Sequence, residues 1–161
     1  MKHFPRILKI IILVALVLIG CVQHCRKTDP LLPPGCRILN QNHFTASERE
    51  IWDTSFILRS KLGTMQGFQR RVFLQNSAAA GAYFKNDIPQ RPLQAGINRG
   101  ISWALSRNGL WFLQKNSVIY VNLYPMDKKW SELGKQQQGE HFNMVRNFRD
   151  EMLQKLEQTW R

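Results

Sequence analysis

Few residues in this chain have the type and spacing to act chemically on another molecule. Ser102 lies in Gly100-Ile101-Ser102-Trp103-Ala104, half of the Gly-x-Ser-x-Gly arrangement that presents a nucleophilic serine at a sharp strand-to-helix turn. The second glycine is missing, and Ser102 alternates with Ile101, Trp103 and Leu105 as a polar residue of an amphipathic strand does. A surface serine is the simpler reading. His24, His43 and His141 have no carboxylate at a spacing that would orient an imidazole as a general base. Glu48, Glu50 and Asp53 cluster where a helix is expected to start, and there negative charge is explained by the helix dipole.

Metal and cofactor chemistry find no better footing. The sequence holds no His-Glu-x-x-His, no paired Cys-x-x-Cys and no glycine-rich phosphate loop. No catalytic residue, metal or cofactor is therefore expected, and the chain is read as a non-enzyme. Gly96-Ile97-Asn98-Arg99-Gly100 fits Gly-x-x-x-Gly, which outside an apolar span means only a flexible loop. Arg70, Arg71, Arg99 and Arg107 form an anion or protein-partner site if they share a face, and are separately solvated charges if they do not. Trp103 and Trp111 would stack on a ligand or, more simply, fill a core.

The elements that would position these residues follow from periodicity. Thr45-x-x-Glu48 reads as a capping box, and Ile51, Ser55, Leu58 and Leu62 recur at helical spacing up to Gly63, so a helix is expected there. From Phe68 to Tyr124 short aromatic and β-branched runs indicate strands. Ile101–Leu105 and Leu110–Leu113 flank Asn108-Gly109, a hairpin signal, and Val118–Tyr124, apolar on both faces, reads as a central strand. Arg71–Leu74 and Ala79–Phe84 are further strand candidates, though the alanines also suit a helix. Asp127 could cap a short helical turn through Leu133, and Gly134–Gly139 reads as a polar hinge. A final helix from Glu140 carries Phe142, Val145, Met152, Leu156 and Trp160 on one stripe. The expected class is α+β, a small antiparallel sheet of three to five strands packed against an N-terminal and a C-terminal helix.

Composition bounds the rest. With 161 residues, 43% hydrophobic and 21% charged, the chain has enough apolar side chain for one ordered domain. Its 23 basic and 11 acidic residues give +12. Lys2, Arg6 and Lys9 precede an unbroken apolar run, Ile10–Ile19, which is the layout of an export signal and is shorter than the roughly 20 residues that span a bilayer. Removal of those three cations leaves 20 basic against 11 acidic residues, +9. An exported basic domain meets lipid head groups, wall polymers and acidic proteins, so nucleic acid is not expected as a partner.

Leu18-Ile19-Gly20-Cys21 resembles the lipobox of bacterial lipoprotein precursors: an aliphatic residue, a tolerant position, a small residue and the cysteine. The resemblance covers only this segment. It implies that 1–20 are removed, that Cys21 carries the lipid, and that the membrane is a partner through that anchor. Val22, where inner-membrane retention signals carry Asp, points to the outer membrane, with the inner membrane as the alternative. Arg26 and Lys27, and an apolar span counted from Pro5 to Val22, suit a single-pass signal anchor instead. None of the ten Asn residues starts a glycosylation sequon, which leans toward a bacterium. Cys25 and Cys36 either pair as a disulfide across a proline-rich loop or stay as two thiols in a tether. The expected organisation is a signal peptide over 1–20, a lipidated, proline-rich tether over 21–36 and a single domain over 37–161. The expected role is a non-enzymatic accessory that binds a protein partner of an envelope machine of the secretion, pilus or conjugation type. A periplasmic inhibitor or immunity lipoprotein, and a hydrolase of wall or lipid using Ser102 or a carboxylate, are the alternatives.

Overall fold

The computed structural model of the chain describes residues 29–126 and 128–159. The export segment, Cys21, Cys25, Asp127 and Trp160 lie outside the described residues. Within them the order is β1 (Arg37–Ala46), β2 (Arg49–Ser60), β3 (Gly63–Phe73), α1 (Ser77–Asp87), β4 (Gln94–Asn98), β5 (Ile101–Leu105), β6 (Gly109–Gln114), β7 (Ser117–Pro125) and α2 (Lys135–Thr159), with a 3-10 turn at Trp130–Glu132. The strands form one seven-stranded sheet in the order β1-β2-β3-β7-β6-β5-β4, and every neighbouring pair is antiparallel. Two meanders, β1–β3 and β4–β7, are joined by α1, and β7 returns to pair with β3.

This corrects the expected small sheet between two helices. The segment from Thr45 to Gly63, read as a helix, is the end of β1, a turn and β2. Its apolar residues satisfy a period of two as well as 3.6. Thr54 and Phe56 are buried, with Leu58 beside them, on one face, while Ile51 packs on the other. Glu48, the supposed capping partner, is itself in the turn: Ser47 and Glu48 take φ of 48° and 63°, and the Glu48 carboxylate accepts a hydrogen bond from Gln75 Nε2 at the end of β3. Two left-handed residues in succession match the twist of the strands they join.

Other expectations fare differently. β5, β6 and β7 occupy the segments read as strands, and β7 is the middle strand of the seven. Gly109 begins β6 instead of sitting in the turn, and Ser106 Oγ accepts from its N–H at 3.0 Å. The alanine run is helical: Asn76 Oδ1 accepts from Ala79 N at 2.9 Å, capping α1, and Ala80 and Phe84 face the sheet. The polar hinge is the first turns of α2, which starts at Lys135.

Each face of the sheet has its own cover. α2 lays Val145, Phe148, Met152 and Leu156 over Phe56, Leu110, Phe112, Ile119 and Val121, with the Phe56 and Phe148 rings stacked at 5.8 Å. Phe56 reaches this position because Gly67 on β3 lies beneath it, where a Cβ would come within 2.2 Å of the ring. α1 packs Ala80 and Phe84 on Val72, Ala104, Trp111 and Val118.

The segment expected as a tether is part of the α2 side. Asp29, Leu31, Leu32 and Pro33 are buried. Asp29 forms a turn in which Oδ1 accepts from Leu31 N at 2.9 Å, Oδ2 accepts from Gln69 Nε2 at 2.8 Å, and Arg71 pairs with the same carboxylate. Lys155 of α2 donates to the carbonyls of Leu32 at 2.6 Å and Pro30 at 3.2 Å. Proline density kept this stretch out of helix and central strand, as it must. It did not prevent packing, because the turn satisfies its own backbone while Leu31 and Leu32 fill the core. The folded unit therefore reaches back at least to Asp29.

Asp29→Ala should cost about 3 kcal/mol, since it strands the buried end of Arg71 and the Gln69 amide. A chain beginning at Arg37 should unfold at lower denaturant concentration than one beginning at Val22. Equal midpoints for the two chains would show that 29–36 adds nothing to the fold.

Candidate functional site

The four arginines singled out by sequence are not brought together. Arg70 and Arg71 are successive residues of β3, so their side chains leave opposite faces of the sheet. Arg70, on the α1 side, is held by Asp53 through two hydrogen bonds of 2.8 and 2.7 Å, which raise its pKa further. Arg71, on the α2 side, is held by Asp29. Arg99, in the β4–β5 turn, pairs with Glu157 of α2 at 2.8 Å. Arg107, in the β5–β6 loop, lies 4.9 Å from the centre of the Trp130 ring. Three of the four are neutralised in place.

The reactive candidates are equally dispersed. Ser102 shares the α1 face with Ala104, whereas His43 and His141 both lie on the opposite side of the sheet. His43 stacks on Trp52 at 4.1 Å and bridges to Glu50 at 3.1 Å on the exposed end of the β1–β2 hairpin. Burial pushes the Cys36 thiol up to about 12, with Glu151 adding to the rise and Lys155 opposing it. A thiol so rarely ionised is a poor nucleophile. On the α1 face a hollow of about 140 Å³ is lined by Arg70, Tyr83, Asp87 and Tyr120 among others. Asp87 accepts from Trp111 Nε1 at 3.0 Å, and burial raises the Tyr120 pKa. The polar groups here are held by neighbouring side chains, Arg70 by Asp53, Asp87 by Trp111 and Tyr120 by Asn122, and the Asp87–Trp111 bond braces α1 against the sheet.

Two features stand out instead. The first is one end of the sheet, where β1 and β6 start, β2 turns into β3, β7 finishes and α2 begins. Arg59 and Lys61 come from the β2–β3 hairpin, Arg107 from the β5–β6 loop, Lys128 and Lys129 from the segment after β7, and Lys135 from the start of α2. All six are exposed, and among the described residues none is ion-paired with a carboxylate. Glu132 and Glu140 are the nearby described carboxylates by sequence. A cleft of about 530 Å³ opens here between Asn108, Tyr124, Met126, Lys128, Lys129 and Trp130. Sequence reading passed over Lys128-Lys129-Trp130, although adjacent cations followed by an aromatic just past a strand end were a visible signal.

The second feature is the outer edge of β1. This strand runs for ten residues, twice the length of β4 at the other edge. Its only formal charge is Arg37 at its start, it contains no proline, and Leu39 and Phe44 are exposed. A break in register between Ile38 and Asn40 precedes seven regularly paired residues.

No family model, curated protein or solved structure matches this chain. The geometry of these surfaces carries the functional reading by itself.

His141 offers a pH test of the packing that supports the basic end. The residue is fully buried on α2, its ring 5.0 Å from that of Trp130 and edge-on to it, and neither ring nitrogen has a hydrogen-bond partner among the described residues. Burial lowers its pKa. The unfolded chain takes up a proton below about pH 6.5 while the folded imidazole resists it, so stability is full above that pH and falls as pH drops toward the lowered value. His141→Leu should flatten the loss of Tm between about pH 7 and pH 5, and should add about 1 kcal/mol at neutral pH by removing an unpaired polar ring. Parallel Tm profiles for the two proteins would exclude His141 as the titrating group.

Proposed function

We propose that this chain is a lipid-anchored envelope protein that works by capturing a protein partner, and that an extended segment of the partner adds to β1 as an eighth strand. The observation that carries this reading is the outer edge of β1, which no other described strand pairs with. Edge strands are usually blunted by lysine, proline, short length or a covering element, because their free N–H and C=O groups template pairing with another chain. β1 is long and almost uncharged, and its one irregularity lies near its start. Backbone pairing would supply affinity and alternate side chains would supply selectivity. Asn40, Asn42 and Phe44 alternate toward the α1 side, so a matching segment would be uncharged, with an apolar residue opposite Phe44.

The role fits the expected accessory of an envelope machine. The lipobox-like Leu18-Ile19-Gly20-Cys21 supports the anchor, and the outer membrane is the proposed location. Catalysis is not part of the proposal, since Ser102 and the two described histidines occupy opposite faces of the sheet.

Two measurements test it. Radiolabelled palmitate should enter the wild-type protein and not Cys21→Ser, which should accumulate at full length; equal labelling of both would remove the lipid anchor. A photo-crosslinking residue at position 44 should capture one stoichiometric protein in intact envelopes, and its β1 amides should become protected from hydrogen exchange in that complex. Replacing Asn42 and Phe44 together with Lys should weaken capture about tenfold or more without lowering Tm, because charges on an edge oppose strand addition. Ser102→Ala should leave capture unchanged. Undiminished capture by the double-lysine variant would overturn the β1 site.

A further inference from the structure

Among the described residues, six exposed cations with no carboxylate partner are gathered at one end of the sheet, and four of the six exposed large apolar side chains lie at or near it. Leu39 near the start of β1, Leu93 just before β4, and Tyr124 and Met126 at the end of β7 are exposed by 53%, 61%, 42% and 53%. They stand among Arg59, Lys61, Arg107, Lys128, Lys129 and Lys135, whose charge no described carboxylate neutralises. The opposite end is different: Glu48, Arg49 and Glu50 alternate in sign at the β1–β2 hairpin, and Arg99 is paired with Glu157. Cations interspersed with protruding apolar and aromatic side chains match the chemistry of an anionic bilayer surface, where charge meets phosphate and the apolar groups enter the head-group boundary. An acidic protein would satisfy the cations but not Leu93 and Met126.

We propose that this end of the sheet docks on anionic phospholipid, with Lys128 and Lys129 at the mouth of the cleft holding head-group phosphate and Tyr124, Met126 and Leu93 inserting beside it. The placement rests on the lipid anchor at Cys21, and its geometry agrees with that anchor. Asp29 is fixed beside Gln69 and Arg71 of β3, roughly 20 Å from the β2–β3 turn at strand rise. The eight residues from Cys21 to Asp29 reach at most about 27 Å. An anchored chain thus has enough length to set the basic end on the bilayer and too little to carry the domain far from it. Docked in this way, the strands stand up from the membrane and β1 presents its outer edge sideways, clear of lipid along most of its length.

The test uses the full chain reconstituted into vesicles of phosphatidylcholine alone, or of two parts phosphatidylcholine to one part phosphatidylglycerol, with acyl chains brominated near the head group to quench tryptophan. Quenching should be about threefold greater in the anionic vesicles, should fall to the neutral level in high salt, and should lose most of its excess in Trp130→Phe. Arg107→Glu combined with Lys128→Glu and Lys129→Glu should abolish the excess, while Arg49→Glu with Arg146→Glu should retain most of it. Equal quenching in the two vesicle types, or equal loss in both charge-reversal variants, would overturn the proposal. Zero-length crosslinking of Lys128 or Lys129 to a protein carboxylate in intact envelopes, with no lipid-dependent quenching, would reassign the surface to an acidic protein and also overturn it. Palmitate labelling of Cys21 separates the two ideas: a labelled chain without anionic-lipid quenching loses only the docking surface, and an unlabelled chain with it loses only the anchor.

Discussion

Val118, Ile119, Val121 and Leu123 leave β7 with apolar side chains on both faces, and a strand of that kind in the middle of a sheet requires two covering layers. The remaining architecture answers that requirement unequally. On one side α1 is short and rich in alanine, and around its margin Arg70 is held by Asp53, Asp87 accepts from Trp111 and the Arg49 guanidinium lies over Tyr83. On the other side α2 spans the sheet from Trp130 to the β4–β5 turn, fastened by His141 against Trp130 at one end and by Glu157 to Asn98 and Arg99 at the other. What α2 does not reach is filled by Leu31 and Leu32, and the buried Asp29 carboxylate holds them there through Gln69 and Arg71.

The parts of this arrangement that could be read from sequence are those where pattern has one solution. Val118–Tyr124 is too apolar and too β-branched for a surface helix, and Phe142 to Leu156 keeps a stripe that only a helix aligns. Arg49–Ser60 had two solutions. A helical stripe and a strand alternation coincide there, and the choice is made by pairing with β1 and β3, which no local window contains. Asp29–Cys36 was misjudged for a different reason: proline limits backbone conformation and says nothing about burial. The arginines failed on parity. Adjacent residues of a strand cannot serve one surface, so Arg70-Arg71 was never a patch once the segment was a strand. The six grouped cations lie at strand and helix ends or in the loops beyond them, so their grouping depends on which ends the topology places side by side.

Charge in this protein is sorted by role. The arginines that face the interior or bridge elements, Arg70, Arg71, Arg99 and Arg149, each meet a carboxylate and act as fasteners. Six of the exposed cations left over among the described residues share one end, while Arg49 and Arg146 lie away from it. Apolar surface follows the same bias, since among the described residues four of the six exposed large hydrophobic residues lie at or near that end. The exposed basic charge is therefore weighted toward one end. On the proposed lipid anchor, that weighting would let the domain hold one orientation while the outer edge of β1 points elsewhere.

The hydrogen bond from Lys155 to Leu32 joins residues 123 positions apart in the chain. Contacts of that span form late, because the loop they close must be ordered first. Residues 29–33 precede the whole sheet in the chain, yet their final lodging needs α2, which follows it. On the proposed export route, the core stays open until α2 has crossed, which keeps 29–33 and the sheet threadable in transit and places the final closure on the far side of the membrane.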